Sequence, residues 1–199
     1  LFSERNHYCM FCQMSGDCEL QALAYRYQLD HWTFPRSFRK LAVDASAVYH
    51  ALDHNRCVLC TRCVRACAEI AANHTLDLRQ RGAKSMIMAD VNMPLGQSSC
   101  VECGTCVQVC PTGAQINKLN PYGGHEEDVA HTKTTCTQCS VGCAVEVVSR
   151  ANHLIRIDGV WDEGPSKGLL CIEGRYRPLD ETRCRITTPL VRANGAPKE

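Results

Sequence analysis

Sixteen cysteines among 199 residues are the part of this sequence that could do chemistry. They fall into four tight groups, Cys9–Cys18, Cys57–Cys67, Cys100–Cys110 and Cys136–Cys171, and only Cys184 lies outside a group. Cysteine thiolates at such close spacing are metal ligands. Aromatic residues make up only 6% of the chain, so a small hydrophobic core is expected and bound metal is expected to hold the fold together.

A duplicated C-x2-C-x2-C-x3-C run is the strongest signal. It comprises Cys57, Cys60, Cys63 and Cys67, and then Cys100, Cys103, Cys106 and Cys110. The first three thiolates of such a run lie on a loop that can clasp three corners of a 4Fe–4S cubane, whereas the fourth points toward a second cluster. We therefore expect crossed pairing, with Cys110 completing the first cluster and Cys67 the second.

Two other uses of these cysteines are weaker. Structural zinc sites use separated C-x2-C pairs and close on four ligands, which gives no reason for two duplicated runs; a zinc-stapled interaction module stays as an alternative. Disulfides are disfavoured because neighbouring cysteines in such runs cannot all bridge one another without strain.

Composition excludes several classes of function. The sequence has no run of eighteen apolar residues, which argues against a membrane span, and its formal net charge of +1 argues against nucleic-acid binding. It has neither a dinucleotide-binding glycine fingerprint nor a phosphate loop. We therefore predict no catalytic residue in this chain and no cofactor beyond metal clusters.

Four elements are predicted to position the cysteine groups. A helix over residues 18–28 follows the first group, and an extended stretch over 43–49 leads into the second. Alternating apolar residues predict hairpins at 76–88 and 145–157, and the methionines of the first hairpin are expected in the core. The fold class predicted is α+β, with small cluster-stapled modules.

The middle of the chain resembles a known domain. Residues from about Asp53 to Gly113 are similar to the two-cluster ferredoxin domain of the large iron–sulfur subunit of respiratory complex I, of iron-only hydrogenases and of NAD-linked formate dehydrogenases. The long spacer between Cys67 and Cys100 is typical of that group. Ala68 follows the first run where the simplest bacterial ferredoxins have proline.

The first cysteine group resembles the histidine-and-three-cysteine site that precedes this domain in the same families. Its spacing is C-x2-C-x5-C followed by Glu-Leu-Gln, and the residues concerned are His7, Cys9, Cys12 and Cys18. The family's histidine position holds Arg5, and arginine is never neutral in proteins. His7 is therefore the expected fourth ligand. The alternative is that His7 is a surface residue and the fourth ligand lies elsewhere.

The last group resembles the amino-terminal 4Fe–4S domain of molybdopterin oxidoreductases. Its residues, Cys136, Cys139, Cys143 and Cys171, are spaced C-x2-C-x3-C-x27-C around the second predicted hairpin. The family's lysine two residues after the fourth cysteine is Glu173 here. No molybdopterin is expected in the chain as given.

The ligand count fits four cubanes. Fifteen cysteines and His7 make sixteen ligands, and Cys184 is left over without a role. The expected modules are residues 1–40, a histidine-and-cysteine cluster module; 41–125, a two-cluster ferredoxin-like domain; and 126–199, a 4Fe–4S domain that contains a β-hairpin and lacks a pterin-binding part.

These resemblances imply an electron-transfer polypeptide of an oxidoreductase complex in the cytoplasm, with any membrane contact made through partners. The partners implied are a flavin-containing, NAD(P)H-reactive subunit and a catalytic or electron-accepting redox subunit. The alternative is an enzyme, with this chain as the front of a molybdenum or tungsten formate dehydrogenase. Arginines at 56, 62 and 65 could stabilise a reduced cluster, although solvated surface charge is the simpler expectation.

Overall fold

The computed structural model describes residues 12–31, 34–35 and 40–180. Within them, short helices and three small antiparallel sheets follow one another along the chain, in the orders β1-β2-β5, β3-β4 and β6-β7-β8. The prediction of an α+β fold made of small modules is confirmed. No helix in these ranges is both long and apolar enough to cross a bilayer.

The first helix, α1 (Glu19–Arg26), falls inside the predicted span 18–28. Cys18 is its N-cap residue. None of its residues is buried against the described part of the chain.

The middle sheet closes the ferredoxin-like region. Strands β1 (Val43–Asp44), β2 (His50–Asp53) and β5 (Gln115–Asn117) pair antiparallel, so residues before the first cysteine run lie beside residues after the second. Helix α2 (Arg62–Arg65) continues into a π-helical turn, Ala66–Ile70, that carries Cys67. Helix α3 (Thr105–Gln108) stops before Pro111, whose ring and missing N–H oppose further helix.

Cysteine sulfur takes the place of apolar side chains in the core of this region. The buried cluster consists of Ala47, Leu52, Cys57, Cys63, Cys67, Leu76, Ile87, Ala89, Leu95, Cys106, Val107, Cys110 and Ala114. Five of its thirteen members are cysteines, so this core depends on what those thiols bind.

The first predicted hairpin is present, formed by β3 (Leu76–Arg79) and β4 (Met86–Ala89). Its methionines are half-buried, and the residues that alternate with them, Ile87 and Ala89, are the ones in the core. The expectation for the methionines was therefore wrong, because successive strand residues face opposite sides of the hairpin.

The last region is a three-stranded sheet of β6 (Ala130–Thr135), β7 (Ala144–Arg150) and β8 (His153–Gly159). The hairpin between β7 and β8 was predicted, and it turns at Ala151–Asn152, where both residues adopt positive φ. Such a two-residue turn matches the twist of a hairpin. Strand β6 was not predicted, and two short helices, α4 (Ile172–Arg175) and α5 (Arg177–Asp180), follow Cys171.

Candidate metal centres

The structure brings the first three cysteines of one run together with the fourth of the other. Burial is the main cause that raises the pKa of the Cys63 thiol from 9.0 to about 12. The next causes, in order, are the charges of Cys110, Cys57 and Cys60. Thiols interact in this way only when they are close neighbours, so these four line one site.

The reciprocal site has the same composition. The pKa of Cys106 is raised well above its usual value, first by burial and then by the charges of Cys103, Cys100, Cys63 and Cys67. Burial likewise raises the pKa of Cys100 to about 11, and Cys103 and Cys67 add to the shift. These neighbours are the ones that crossed ligation requires, and the influence of Cys63 on Cys106 puts the two groups of thiols side by side.

The two loops that begin at Cys57 and Cys100 have the same backbone conformation after the leading cysteine. The second residue after each leading cysteine, Leu59 or Glu102, has positive φ, at 57° and 49°. Its N–H donates to the sulfur of the leading cysteine, Cys57 or Cys100, at 3.4 Å in both loops. Two non-glycine residues in the left-handed region show that tertiary structure holds the loops in a conformation that costs about 1 kcal/mol or more.

The first cysteine group abuts the ferredoxin-like region. Cys12 Sγ lies 3.6 Å from the Thr112 carbonyl oxygen, and Thr112 Oγ1 lies 3.9 Å from Cys110 Sγ. Cys18 and Cys110 line one open cavity of about 800 Å³. His7 and Cys9 lie outside the described residues, as does Cys184, so their predicted roles stay predictions.

The last group is gathered at one end of the β6-β7-β8 sheet. The Cys136 N–H donates to the Cys143 carbonyl at 2.8 Å. A Cβ placed on Gly174 would lie 3.3 Å from Cys136 Sγ and 4.0 Å from Cys171 Sγ, so both thiols face the same glycine. Cys139 is exposed. Cys136, Cys143 and Cys171 are therefore neighbours, Cys139 lies on the loop between Cys136 and Cys143, and Cys171 is exposed as well.

A buried arginine joins this last region to the second ferredoxin loop. Arg175 is 3% exposed, and its Nε donates to the Cys103 carbonyl at 2.8 Å. Its other nitrogens donate to Asp158 Oδ1 at 3.0 Å and to Gln108 Oε1 at 2.7 Å. Sequence reasoning missed Arg175, because nothing in its neighbourhood marks it as different from an ordinary surface arginine.

The other charged residues singled out in the sequence are exposed or form simple ion pairs. Arg62 and Arg65 are exposed, as solvated charge would be, whereas Arg56 pairs with Asp53 at 3.2 Å. Glu173, which stands where the resembling family has lysine, is half-exposed and lies 3.4 Å from Arg177.

The donor set fits iron–sulfur clusters. The ferredoxin-like sites offer buried thiols whose pKa values are raised by burial and by one another, so their thiolates require a bound cation to offset the mutual charge. No three His, Cys, Asp or Glu side chains in the described ranges converge closely enough to hold a single metal ion.

Comparison with known proteins finds a similar family model for each region. Residues 48–123 match the ferredoxin-like domain of NADH-quinone oxidoreductase subunit 3. Residues 1–32 match the iron–sulfur binding region of NADH-ubiquinone oxidoreductase-G, and residues 129–177 match the Fe4S4 domain of molybdopterin oxidoreductases. Each of the three matches is to an iron–sulfur domain, and each falls on one of the regions that carry the cysteine groups.

Two curated relatives are similar to this chain over most of its length. A protein of Rhizobium meliloti (strain 1021) that is named as a subunit of NADH-quinone oxidoreductase is 34% identical over 192 aligned residues, covering 94% of this chain and 22% of that protein. A Staphylococcus aureus (strain Mu50) protein, whose name assigns it provisionally as a formate dehydrogenase, is 29% identical over 229 aligned residues, covering 94% of this chain and 23% of its own length. This chain thus spans less than a quarter of the length of these curated relatives.

A solved structure is similar as well. A chain of an NAD+-reducing NiFe hydrogenase in its H2-reduced state superposes with a TM-score of 0.53 at 36% identity, covering 59% of this chain and 50% of that one. The predicted resemblance and the predicted iron–sulfur electron-transfer character are confirmed.

Proposed function

We propose that this chain holds four 4Fe–4S clusters and relays electrons between two redox partners. The proposed ligand sets are His7, Cys9, Cys12 and Cys18; Cys57, Cys60, Cys63 and Cys110; Cys67, Cys100, Cys103 and Cys106; and Cys136, Cys139, Cys143 and Cys171. The observation that carries the proposal is the crossed convergence of the two ferredoxin runs. Crossed ligation accounts for the spacing of the cysteines in both runs.

Contacts between the sites give the relay an order. Thr112 lies between Cys12 of the first site and Cys110 of the second. Cys63 of the second site acts on Cys106 of the third. Arg175, four residues after Cys171 of the fourth site, bonds to Cys103 of the third. These contacts support an order in which the first proposed site neighbours the second, the second the third, and the third the fourth.

Residues of this chain would stabilise negative charge on the clusters of the two ferredoxin-like sites. When bound, a 4Fe–4S cluster accepts and releases electrons at a potential set by its surroundings. The buried walls around Cys63 and Cys106 exclude water, and the Leu59 and Glu102 N–H groups donate to ligand sulfurs. Donors of this kind stabilise added negative charge.

We infer partners from the relatives. The Rhizobium meliloti relative is named as a subunit of NADH-quinone oxidoreductase and the hydrogenase as NAD+-reducing. A flavin-bearing, NAD(P)H-reactive subunit is therefore proposed on one side of the relay, and a catalytic or electron-accepting module on the other, in the cytoplasm. The proposed domain bounds are 1–40, 41–125 and 126–199.

A second candidate is the front segment of a molybdenum or tungsten formate dehydrogenase. The match of residues 129–177 to a molybdopterin-oxidoreductase domain favours it, as does the name of the Staphylococcus aureus relative. In that case the same relay would feed a pterin site in a longer polypeptide.

One analysis of anaerobically purified native protein separates these possibilities. The relay predicts about sixteen irons and an equal amount of labile sulfide per chain, with brown colour that bleaches under dithionite. Molybdenum or tungsten at one per chain would favour the formate dehydrogenase instead. A colourless protein containing zinc would overturn both.

A further inference from the structure

We propose that the hydroxyl of Tyr176 donates a hydrogen bond to a sulfur atom of the cluster held by the Cys100–Cys106 loop, and so raises the reduction potential of that cluster. This rests on the proposed function. Tyr176 belongs to the last region of the chain and the loop to the ferredoxin-like region, so one region would tune the cluster of the other.

Burial and packing fix the Tyr176 side chain in place. It is completely buried, and its ring stacks on Tyr49 with centroids 4.7 Å apart and planes 5° from parallel. The preceding residue, Arg175, is bonded to the Cys103 carbonyl. The phenol therefore has one position, set by contacts on both sides.

That position is against the loop. The Tyr176 hydroxyl lies so close to Gly104 that a Cβ on this glycine would collide with it. Gly104 stands between Cys103 and Cys106, and the charges of both cysteines act on the phenol. Gly104, with a φ of +70°, is the residue that lets the hydroxyl approach this closely.

The hydroxyl itself needs an acceptor. It is buried and has no hydrogen-bond partner among the described residues. A buried hydroxyl left without a partner costs about 1–3 kcal/mol, so such groups in folded proteins are nearly always satisfied. Cluster and cysteinyl sulfur at this loop would supply acceptors, and burial keeps the phenol protonated because it raises the pKa of Tyr176.

An O–H directed at cluster sulfur favours the reduced state, which carries one more negative charge. The Tyr176→Phe variant keeps the stacked ring and removes only the donor. In the full-length holoprotein, its potentiometric titration followed by EPR should show one of four clusters shifted to more negative potential. A tenfold fall in its reduced-to-oxidised ratio would correspond to about 59 mV. The Tyr49→Phe variant, which removes the hydroxyl of the stacking partner, is the matched control.

A second measurement uses the unaltered protein. Clusters assembled in D2O and in H2O should differ, in hyperfine spectra, by the couplings of exchangeable protons. The Tyr176→Phe variant should lose one such coupling at one cluster and keep those of the Leu59 and Glu102 N–H donors. Four clusters with unchanged potentials in Tyr176→Phe, or an equal shift in Tyr49→Phe, would overturn this proposal and leave the relay standing. Fewer than four clusters in the parent protein would instead overturn the relay.

Discussion

Arg175 Nε donates a 2.8 Å hydrogen bond to the carbonyl of Cys103, across 72 residues of sequence. The same guanidinium bonds to Asp158 of strand β8 and to Gln108 of helix α3. A single buried cation thus ties the last region to the ferredoxin-like region at the point where two cluster sites approach.

Removing this cation should loosen the junction. Arg175→Met takes one partner from a buried ion pair and removes the donor to the Cys103 carbonyl, whereas Gln108 Oε1 keeps the N–H of Gly159. We expect the free energy of unfolding to fall by about 3–5 kcal/mol, measured by denaturant titration of the holoprotein. Arg177→Met, which removes an exposed partner of Glu173, should cost about 0–1 kcal/mol. Equal effects in the two variants would contradict the role given to Arg175.

Gly104 should tolerate no side chain. In Gly104→Ala the new methyl group meets Arg175 and the Tyr176 hydroxyl, in addition to the strain of a positive φ. Gly82→Ala is the matched control, because Gly82 has a φ of +58° and nothing within 4 Å of its Cβ position. We expect both variants to lose about 1–2 kcal/mol from backbone strain and Gly104→Ala to lose about 1–3 kcal/mol more from overpacking. Thermal unfolding at matched iron content measures the difference, and equal melting temperatures would refute it.

His50 should make the fold sensitive to acid. It is fully buried, neither of its ring nitrogens has a partner among the described residues, and burial lowers its pKa from 6.5. Glu102 and Asp44 oppose this pKa shift and Lys118 adds to it. Because the unfolded chain binds a proton at His50 more readily than the folded chain does, stability should be lost as the pH falls through about 6.5 and below.

The His50→Leu variant tests this directly. Its melting temperature should change less between pH 7 and pH 5 than that of the parent protein, whereas replacing the exposed His153 with leucine should leave the pH dependence as it was. An unchanged slope in His50→Leu would show that another group carries the acid sensitivity.

The crossed ligation predicts an unusual pattern in double variants. Cys63→Ser with Cys110→Ser alters one site, so the pair should remove about four irons and a single EPR signal. Cys63→Ser with Cys67→Ser alters two sites, although these residues are neighbours in sequence, and should remove about eight irons and two signals. Iron analysis with spin counting distinguishes them. The reverse result would mean that each run closes its own cluster.

Much of the site could be predicted because cysteine spacing is local. Three thiolates on one loop are placed to share a cluster, and the fourth, on the following helix turn, is placed to bind another, so the spacing by itself predicts the crossed assignment of Cys67 and Cys110. The β7–β8 hairpin was predictable for a similar reason, since its apolar alternation is read over a few residues.

The parts of the fold and the site that could not be predicted depend on contacts between residues far apart in the sequence. Strand β6 has no alternating apolar residues, and all of its six residues are exposed, so only its pairing with β7 makes it a strand. The positions of Arg175 and Tyr176 result from the docking of two regions. Their types and spacing would fit any surface helix, and tertiary contacts override such weak local signals.

The central claim is that four neighbouring clusters form one line. EPR spin quantification of the fully reduced, anaerobically purified holoprotein tests it most directly. The account predicts about four spins per chain, with the signals of the two ferredoxin-like sites broadened by mutual magnetic coupling because Cys63 and Cys106 are neighbours. Two spins or fewer from a folded, iron-replete chain, or four signals with no coupling between any pair, would contradict it.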